Sequence, residues 1–196
     1  NGKTTTTLLT YHLLKSAGLN VGLAGNIGES LAEKVIENKH EYYVVELSSF
    51  QLDNMYGFKA HIGVLTNITP DHLDRYEYSM DKYAASKLRI VQNMTGNDYF
   101  VFNADDENIA KAFNAGKFQG SAVPFSLKNE SGAKVYFEGE SIKLELTGQT
   151  GSVDTSKSGL IGKHNQYNTM AAVTVAKLLG VADDEISKAL ETFENA

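Results

Sequence analysis

The chain has 196 residues, 42% of them hydrophobic, enough for one sizeable core and a single domain with an appendage. A formal net charge of -6 argues against nucleic acid or an anionic membrane as the main partner, although a few lysines and backbone N–H groups suffice for a local phosphate site. There is no cysteine, which excludes a disulfide scaffold and a thiolate zinc site, and no apolar run reaches the roughly 18 residues of a membrane helix.

The chain opens on Asn1-Gly2-Lys3-Thr4-Thr5, the back half of the pattern G-x-x-x-x-G-K-[ST]. In that loop backbone N–H groups cradle phosphates, the lysine reaches the β/γ-phosphates and the hydroxyl holds Mg²⁺. A first residue inside a motif makes this chain, by expectation, a piece of a longer protein, with the front of the loop and its strand upstream. Residues 4–18 read as a helix, with Leu8, Leu9, Leu13 and Leu14 at helical spacing and Gly18 past its end. A strand NVGLAG and a helix over Glu29 to Asn38 follow, then two strands, YYVVEL and HIGVLTNI. SMDKYAASKLRIVQNM is a helix with Ser79 as N-cap, and DYFVFN, DDENIAKAF and SAVPFS are strand, helix and strand. This alternation predicts an α/β fold with a mostly parallel sheet flanked by helices. Residues 134–147 then read as an antiparallel hairpin or small side sheet, and QTGSVDTSKSG as loop. Two helices close the chain, the first with Asn165 as candidate N-cap and Gly180 as terminator.

Five constellations carry possible chemistry. Lys3 and Thr4 head a long helix, where phosphate gains from unpaired N–H groups and the helix dipole; a Thr-rich helix start with a chance lysine is the rival. Glu46 ends an apolar strand, where open α/β sheets place ligands and where a phosphate-loop protein needs an acid for Mg²⁺; a solvent-exposed strand end is the alternative. Asp71, His72 and Asp74 share the loop after the next strand, though imidazole is an unusual Mg²⁺ ligand. Lys87 falls inside the apolar stripe of Met80, Tyr83, Ala84, Leu88, Val91 and Met94. Desolvation there lowers an amine's pKa and leaves it competent to take up CO₂ as an anionic carbamate; snorkelling to the helix rim is the competing outcome. Asn165 and Asn168 lie within one turn at a helix start, suited to an adenine edge or to capping.

In order along the chain, NGKTTTT, GNIG, ELSSFQLD, NITPDHLDRY, YAASKLRI, NADD and GKHNQYN resemble the central ATPase domain of the Mur ligases, from Asn1 to about Phe193. Most of these strings are shared across Mur and folylpolyglutamate ligases. ELSSFQLD is the selective one, since the ligase adding the third residue is expected to carry an E-x-S-S-H string instead. The resemblance implies a three-domain, ATP-dependent, ADP-forming ligase with flanking N-terminal UDP-binding and C-terminal amino-acid-binding domains, so that the isolated fragment is inactive. It implies ATP, UDP-N-acetylmuramoyl-L-alanine and D-glutamate as substrates, two Mg²⁺ ions, and a cytoplasmic monomer. Asn1, Gly2, Lys3, Thr4, Thr5, Asn165 and Asn168 would bind ATP. Thr4 and Glu46 would hold one Mg²⁺, and His72 with a CO₂-derived carbamate on Lys87 the other; Lys3, His72 and Lys87 would be catalytic. Asn26 and Ser48 would contact the UDP substrate. The rivals are a folate-type ligase, a kinase or GTPase switch, and a non-catalytic domain that only binds partners.

Overall fold

Apolar spacing makes the elements, and parallel strand pairing arranges them. The computed structural model describes residues 1–115, 118–129 and 132–194. Helix α1 (Lys3–Ser16) buries Leu9, Leu13 and Leu14, and Gly18, with φ 80, turns the chain out of it. Next come β1 (Val21–Gly25), α2 (Leu31–Glu37), β2 (Tyr42–Glu46), the short α3 (Ser49–Leu52) and β3 (Ile62–Leu65). A 3-10 turn at Leu73–Tyr76 precedes α4 (Met80–Leu88), β4 (Tyr99–Asn103), α5 (Glu107–Ala115) and β5 (Ser121–Ser126). Strands β6 (Val135–Glu138), β7 (Ser141–Leu146) and β8 (Gln149–Asp154) lead to α6 (Lys163–Leu178) and α7 (Asp183–Glu191).

The fold is α/β, as expected, with its strands in two sheets. β1 and β2 form a parallel pair, and the other six run in the order β3-β4-β5-β6-β7-β8, parallel up to β6 and antiparallel beyond it. β4 is apolar throughout because both of its faces are covered. Phe100 and Phe102 point into the layer of α4 and α5, while Val101 points into the layer of α1, α6 and α7. In α6 the small residues Ala171, Ala172 and Ala176 are fully buried, and the helix packs on α1.

The antiparallel hairpin expected near 134–147 is β6–β7, and it continues the main sheet because β6 also pairs in parallel with β5. Three expectations need correction. Residues 149–154 are not loop but the edge strand β8, whose buried apolar anchor is Val153; polar neighbours and Gly151 hid its alternation. The long helix from Ser79 ends at Leu88 and tightens to a 3-10 turn at Arg89–Val91, although Ser79 does cap it, its Oγ accepting from the Lys82 N–H at 3.3 Å. The N-cap of α6 is Gly162 rather than Asn165, which lies inside the first turn.

Between β2 and β3, which do not pair, runs a cleft of about 530 Å³. Val44, Val45, Ile62 and Val64 line it, as do Thr7 and Leu14 of α1. These four apolar strand residues are only partly buried, unlike their counterparts in β4.

At the leading ends of β3 and β4, the almost fully enclosed Asp98 accepts from the Thr95 N–H and hydroxyl at 2.7 and 2.9 Å. It pairs with Lys59 at 2.9 Å and lies 3.1 Å from His61 Nδ1. Lys59 first, then the Thr95 N–H, hold its carboxyl well below the usual carboxylate range. A depressed folded pKa contributes stability that is complete above the unfolded value of about 4 and is lost as pH falls below it. Asp98→Asn therefore lowers the thermal midpoint at pH 7, and the gap from wild type closes as pH drops from about 4 toward the depressed folded value; melting curves across that range check it.

Candidate functional site

Every parallel strand ends at the same edge, and α1 starts there. Gly2 adopts φ 82, and a Cβ at this position would overlap Asn168 Oδ1, so glycine is required both for the turn and for close approach. The Thr6 N–H reaches back to Gly2 O at 3.0 Å, leaving the N–H groups of Lys3, Thr4 and Thr5 without intrahelical partners. Asn67, just beyond β3, fastens the start of the chain by donating from Nδ2 to Asn1 O at 2.6 Å. Asn103, buried at the end of β4, donates to Thr66 O, and Asp106 accepts from the Ile68 N–H at 3.0 Å. Sequence reasoning assigned no role to Asn67, Asn103 or Asp106, whose only local signal was a polar residue at or within three positions of the end of an apolar strand.

Glu46 ends β2 at 3% exposure. Its Oε1 accepts from Asn26 Nδ2 at 3.0 Å, and its Oε2 is buried without a partner among the described residues. An orphaned carboxylate oxygen at a strand end fits a cation; a carboxylate in this position is otherwise costly. Asn26 is thus a neighbour of Glu46, with its own N–H bonded to Glu46 O at 2.9 Å. Ser48 caps α3: its Oγ accepts from the Gln51 N–H at 3.2 Å and its hydroxyl donates to Gln51 Oε1 at 2.9 Å.

His72 has φ 48 and sits on the exposed loop after β3, with Nε2 3.5 Å from Asp71 Oδ1 and its ring edge-on to Phe50 at 5.5 Å. Arg75 covers the same Phe50 ring at 4.2 Å. Lys87 projects from α4 into the cleft that Asn1, Lys3 and Glu46 also line. Its nearest aromatic neighbour is the Tyr83 ring, 5.0 Å from Nζ. Desolvation, with repulsion from Lys3 second, lowers its pKa to about 8. Neither Lys3 nor Lys87 makes an ion pair among the described residues, and no three His, Asp or Glu side chains there converge into a ready-made cation cage.

The two amides of the α6 start part company. Asn168 turns inward, buried, accepting from Thr6 Oγ1 at 3.2 Å and donating to Asn165 Oδ1 at 3.4 Å. Asn165 stays partly exposed and donates to Ile161 O at 3.0 Å. Beside them Asp105 accepts from the hydroxyls of Ser126 and Tyr167 at 2.7 and 2.9 Å, tying the ends of β4 and β5 to α6. The structure therefore gathers Asn1, Lys3, Glu46 and Lys87 at one cleft, stacks Gly2 on Asn168, and leaves His72 and Thr4 exposed to solvent.

A family model described as the Mur ligase middle domain matches residues 1–176. A protein of Bacteroides fragilis named UDP-N-acetylmuramoylalanine–D-glutamate ligase is 50% identical over 194 residues, which cover 99% of this chain and 44% of that protein. One of the same name from Geotalea uraniireducens is 40% identical over 194 residues, 98% of this chain and 42% of its own. The chain thus spans less than half the length of these relatives. Among solved structures, a UDP-N-acetylmuramoyl-L-alanyl-D-glutamate–2,6-diaminopimelate ligase superposes with TM-score 0.76 at 21% identity, over 100% of this chain and 45% of that one. The MurF ligase of Thermotoga maritima in complex with ADP gives 0.72 at 20%, over 100% and 47%. At these identities the two structures establish the shared fold.

Lys87 should acylate with a pH midpoint near 8, well below that of exposed lysines, and Lys3→Ala should move the midpoint upward by removing a repelling charge. Labelling rates against pH, read by mass spectrometry, check both; a midpoint near that of a surface lysine would show that the amine is solvated.

Proposed function

This chain belongs to the Mur ligase family, and from that premise we propose that it is the ATP-binding middle domain of a three-domain ligase joining D-glutamate to UDP-N-acetylmuramoyl-L-alanine, a cytoplasmic monomer serving peptidoglycan precursor synthesis. The observation that carries the proposal is charge left uncompensated in one place: two lysine ammoniums without ion-pair partners among the described residues, and a buried carboxylate oxygen with none. A triphosphate with its Mg²⁺ would supply the missing partners of Lys3 and Glu46, and a carbamate would remove the uncompensated charge on Lys87.

The chemistry starts with the alanyl carboxylate, which attacks the γ-phosphorus of ATP. An O–P bond forms, the β,γ-bridging P–O bond breaks, and ADP leaves behind an acyl phosphate. The D-glutamate amine then attacks the carbonyl carbon; it loses a proton and phosphate departs with the C–O bonding pair. In the first step Lys3 and the free N–H groups of Lys3, Thr4 and Thr5 hold the phosphates, and Gly2 lets the backbone come close. Thr4 and Glu46 would hold one Mg²⁺, and His72 with Lys87 as its carbamate the other. Those ions offset the repulsion between carboxylate and triphosphate. Burial and Lys3 favour the neutral Lys87 amine; its nitrogen would bond the carbon of CO₂ and lose a proton to solvent, and the resulting carbamate would replace two facing positive charges by an opposed pair. Asn165, the more exposed of the two amides, would face adenine, whereas Asn168 serves through Thr6 and Gly2. Asn26, bonded to Glu46, and Ser48, two residues beyond Glu46, would contact the UDP substrate.

The same proposal assigns the cleft between β2 and β3 to the strand that precedes the phosphate loop in the full-length protein. Two unpaired parallel edges, partly exposed valines on both walls and the start of α1 at the far end support it. A strand there joined to α1 makes the usual strand–loop–helix unit and completes one sheet from two.

In the full-length protein, phosphate release from ATP should require both UDP-N-acetylmuramoyl-L-alanine and D-glutamate, and L-glutamate or a folate acceptor should not replace the latter. Lys87→Ala should cut that rate by about 100-fold or more, without rescue by bicarbonate. Release that ignores D-glutamate would overturn the substrate assignment, and a near-normal Lys87→Ala rate would overturn the carbamate. Extending this chain upstream should also abolish its binding of an apolar fluorescent dye; an unchanged dye signal would leave the cleft empty and the strand elsewhere.

A further inference from the structure

The string ELSSFQLD contains more than a strand end and a cap. Downstream of Ser48, the segment 49–58 lies along α4 and its 3-10 extension, held by a ladder of side chains. Arg89 Nε donates to Leu52 O at 2.8 Å, Gln92 Nε2 to Met55 O at 2.6 Å, and Asn93 Nδ2 to Tyr56 O and Phe58 O at 2.8 and 2.7 Å. At the head of this ladder stands Asp53. Its Oδ1 accepts from the Ser86 hydroxyl at 2.6 Å and its Oδ2 from the Tyr76 hydroxyl at 2.9 Å, while those two hydroxyls lie 3.1 Å apart. Ser86 and Tyr76 are buried, at 5% and 9% exposure, so their hydroxyls are largely shielded from water while Asp53 is half-buried.

The partners of Asp53 are neighbours of the two candidate ligands contributed by this half of the molecule. Ser86 precedes Lys87, and successive helix residues differ by about 100° in azimuth, so fixing Ser86 against Asp53 fixes the direction in which Lys87 leaves α4. Tyr76 closes the 3-10 turn that follows His72, and its ring stacks on Phe50 at 6.4 Å and tilts onto Tyr83 at 5.2 Å. His72 holds the left-handed conformation at φ 48, which a non-glycine residue keeps only where its surroundings over-determine it.

We infer that Asp53 is a positioning residue: through Ser86 and Tyr76 it sets the separation and aim of Lys87 and His72, and so the geometry of the second Mg²⁺ site. The inference rests on the metal-site assignment proposed above. Outer-shell partners of this kind typically govern metal affinity by about 10- to 100-fold.

The test uses the full-length protein and the variants Asp53→Asn, Tyr76→Phe and Ser86→Ala, each at a temperature where circular dichroism shows it folded. The Mg²⁺ concentration giving half-maximal phosphate release should rise about 10-fold or more in Asp53→Asn, with excess Mg²⁺ restoring most of the rate, and by less in the two hydroxyl variants. In parallel, the ¹³C carbamate resonance of protein equilibrated with labelled bicarbonate should weaken in Asp53→Asn. A purely structural role would lower the rate at every Mg²⁺ concentration and leave the midpoint in place, and that outcome overturns the inference. Should Asp53→Asn not fold, the two hydroxyl variants decide by the same shift in midpoint. A wild-type protein with no carbamate resonance would sink the carbamate at Lys87 alone, because the Mg²⁺ midpoint still judges Asp53 through His72.

Discussion

Parallel pairing of β3, β4 and β5 is the constraint on which the rest depends. A strand that runs parallel to its neighbour must be followed by a crossover back to the starting side, here through α4 and α5, so the strand ends accumulate along one edge. Asn67, Asn103 and Ser126 stand there for that reason, and β2 brings Glu46 to the same side. The polar groups at this edge bond to one another across the strand ends, which stiffens the rim before any ligand arrives.

The rim is also where the molecule keeps its charges apart. Lys3 and Lys87 repel each other across the cleft, and Glu46 faces a neutral amide in Asn26 instead of a cation. Internal salt bridges would have relieved all three, as Lys59 relieves Asp98 at the opposite end of the sheet. The contrast between those ends is physical: one is a closed electrostatic circuit that holds strands together, and the other leaves its charges uncompensated.

Much of this was legible in the residues. Helical and strand periodicity located the longer helices but not the four-residue α3, and Lys87 was conspicuous because a charge interrupted a stripe that is apolar on both sides of it. What stayed hidden had no local signature. β8 is a polar edge strand whose one buried anchor is Val153, and α4 is cut short because Arg89, Gln92 and Asn93 are drawn to the 52–58 loop, a tertiary pull that overrides propensity. Asn165 and Asn168 look equivalent at their spacing, yet the first-turn rotation sends one to Thr6 and the other toward solvent. The Asp53 cluster joins residues separated by 23 and 33 positions, beyond the reach of any pattern within one element.

The bond between Thr6 and Asn168 spans 162 positions of chain. Closing a loop of that size is entropically slow, and contacts this distant in sequence form late. The turn at Gly2 is held against Asn168, so the seat it makes comes into being only when α6, near the end of the chain, has docked onto α1. Molecules in which α6 has not docked consequently lack this seat. Any molecule that binds this seat selects the finished fold, adding about 2.7 kcal/mol of stability at a hundredfold excess over its dissociation constant. Occupancy of that seat thereby becomes a report on completed folding.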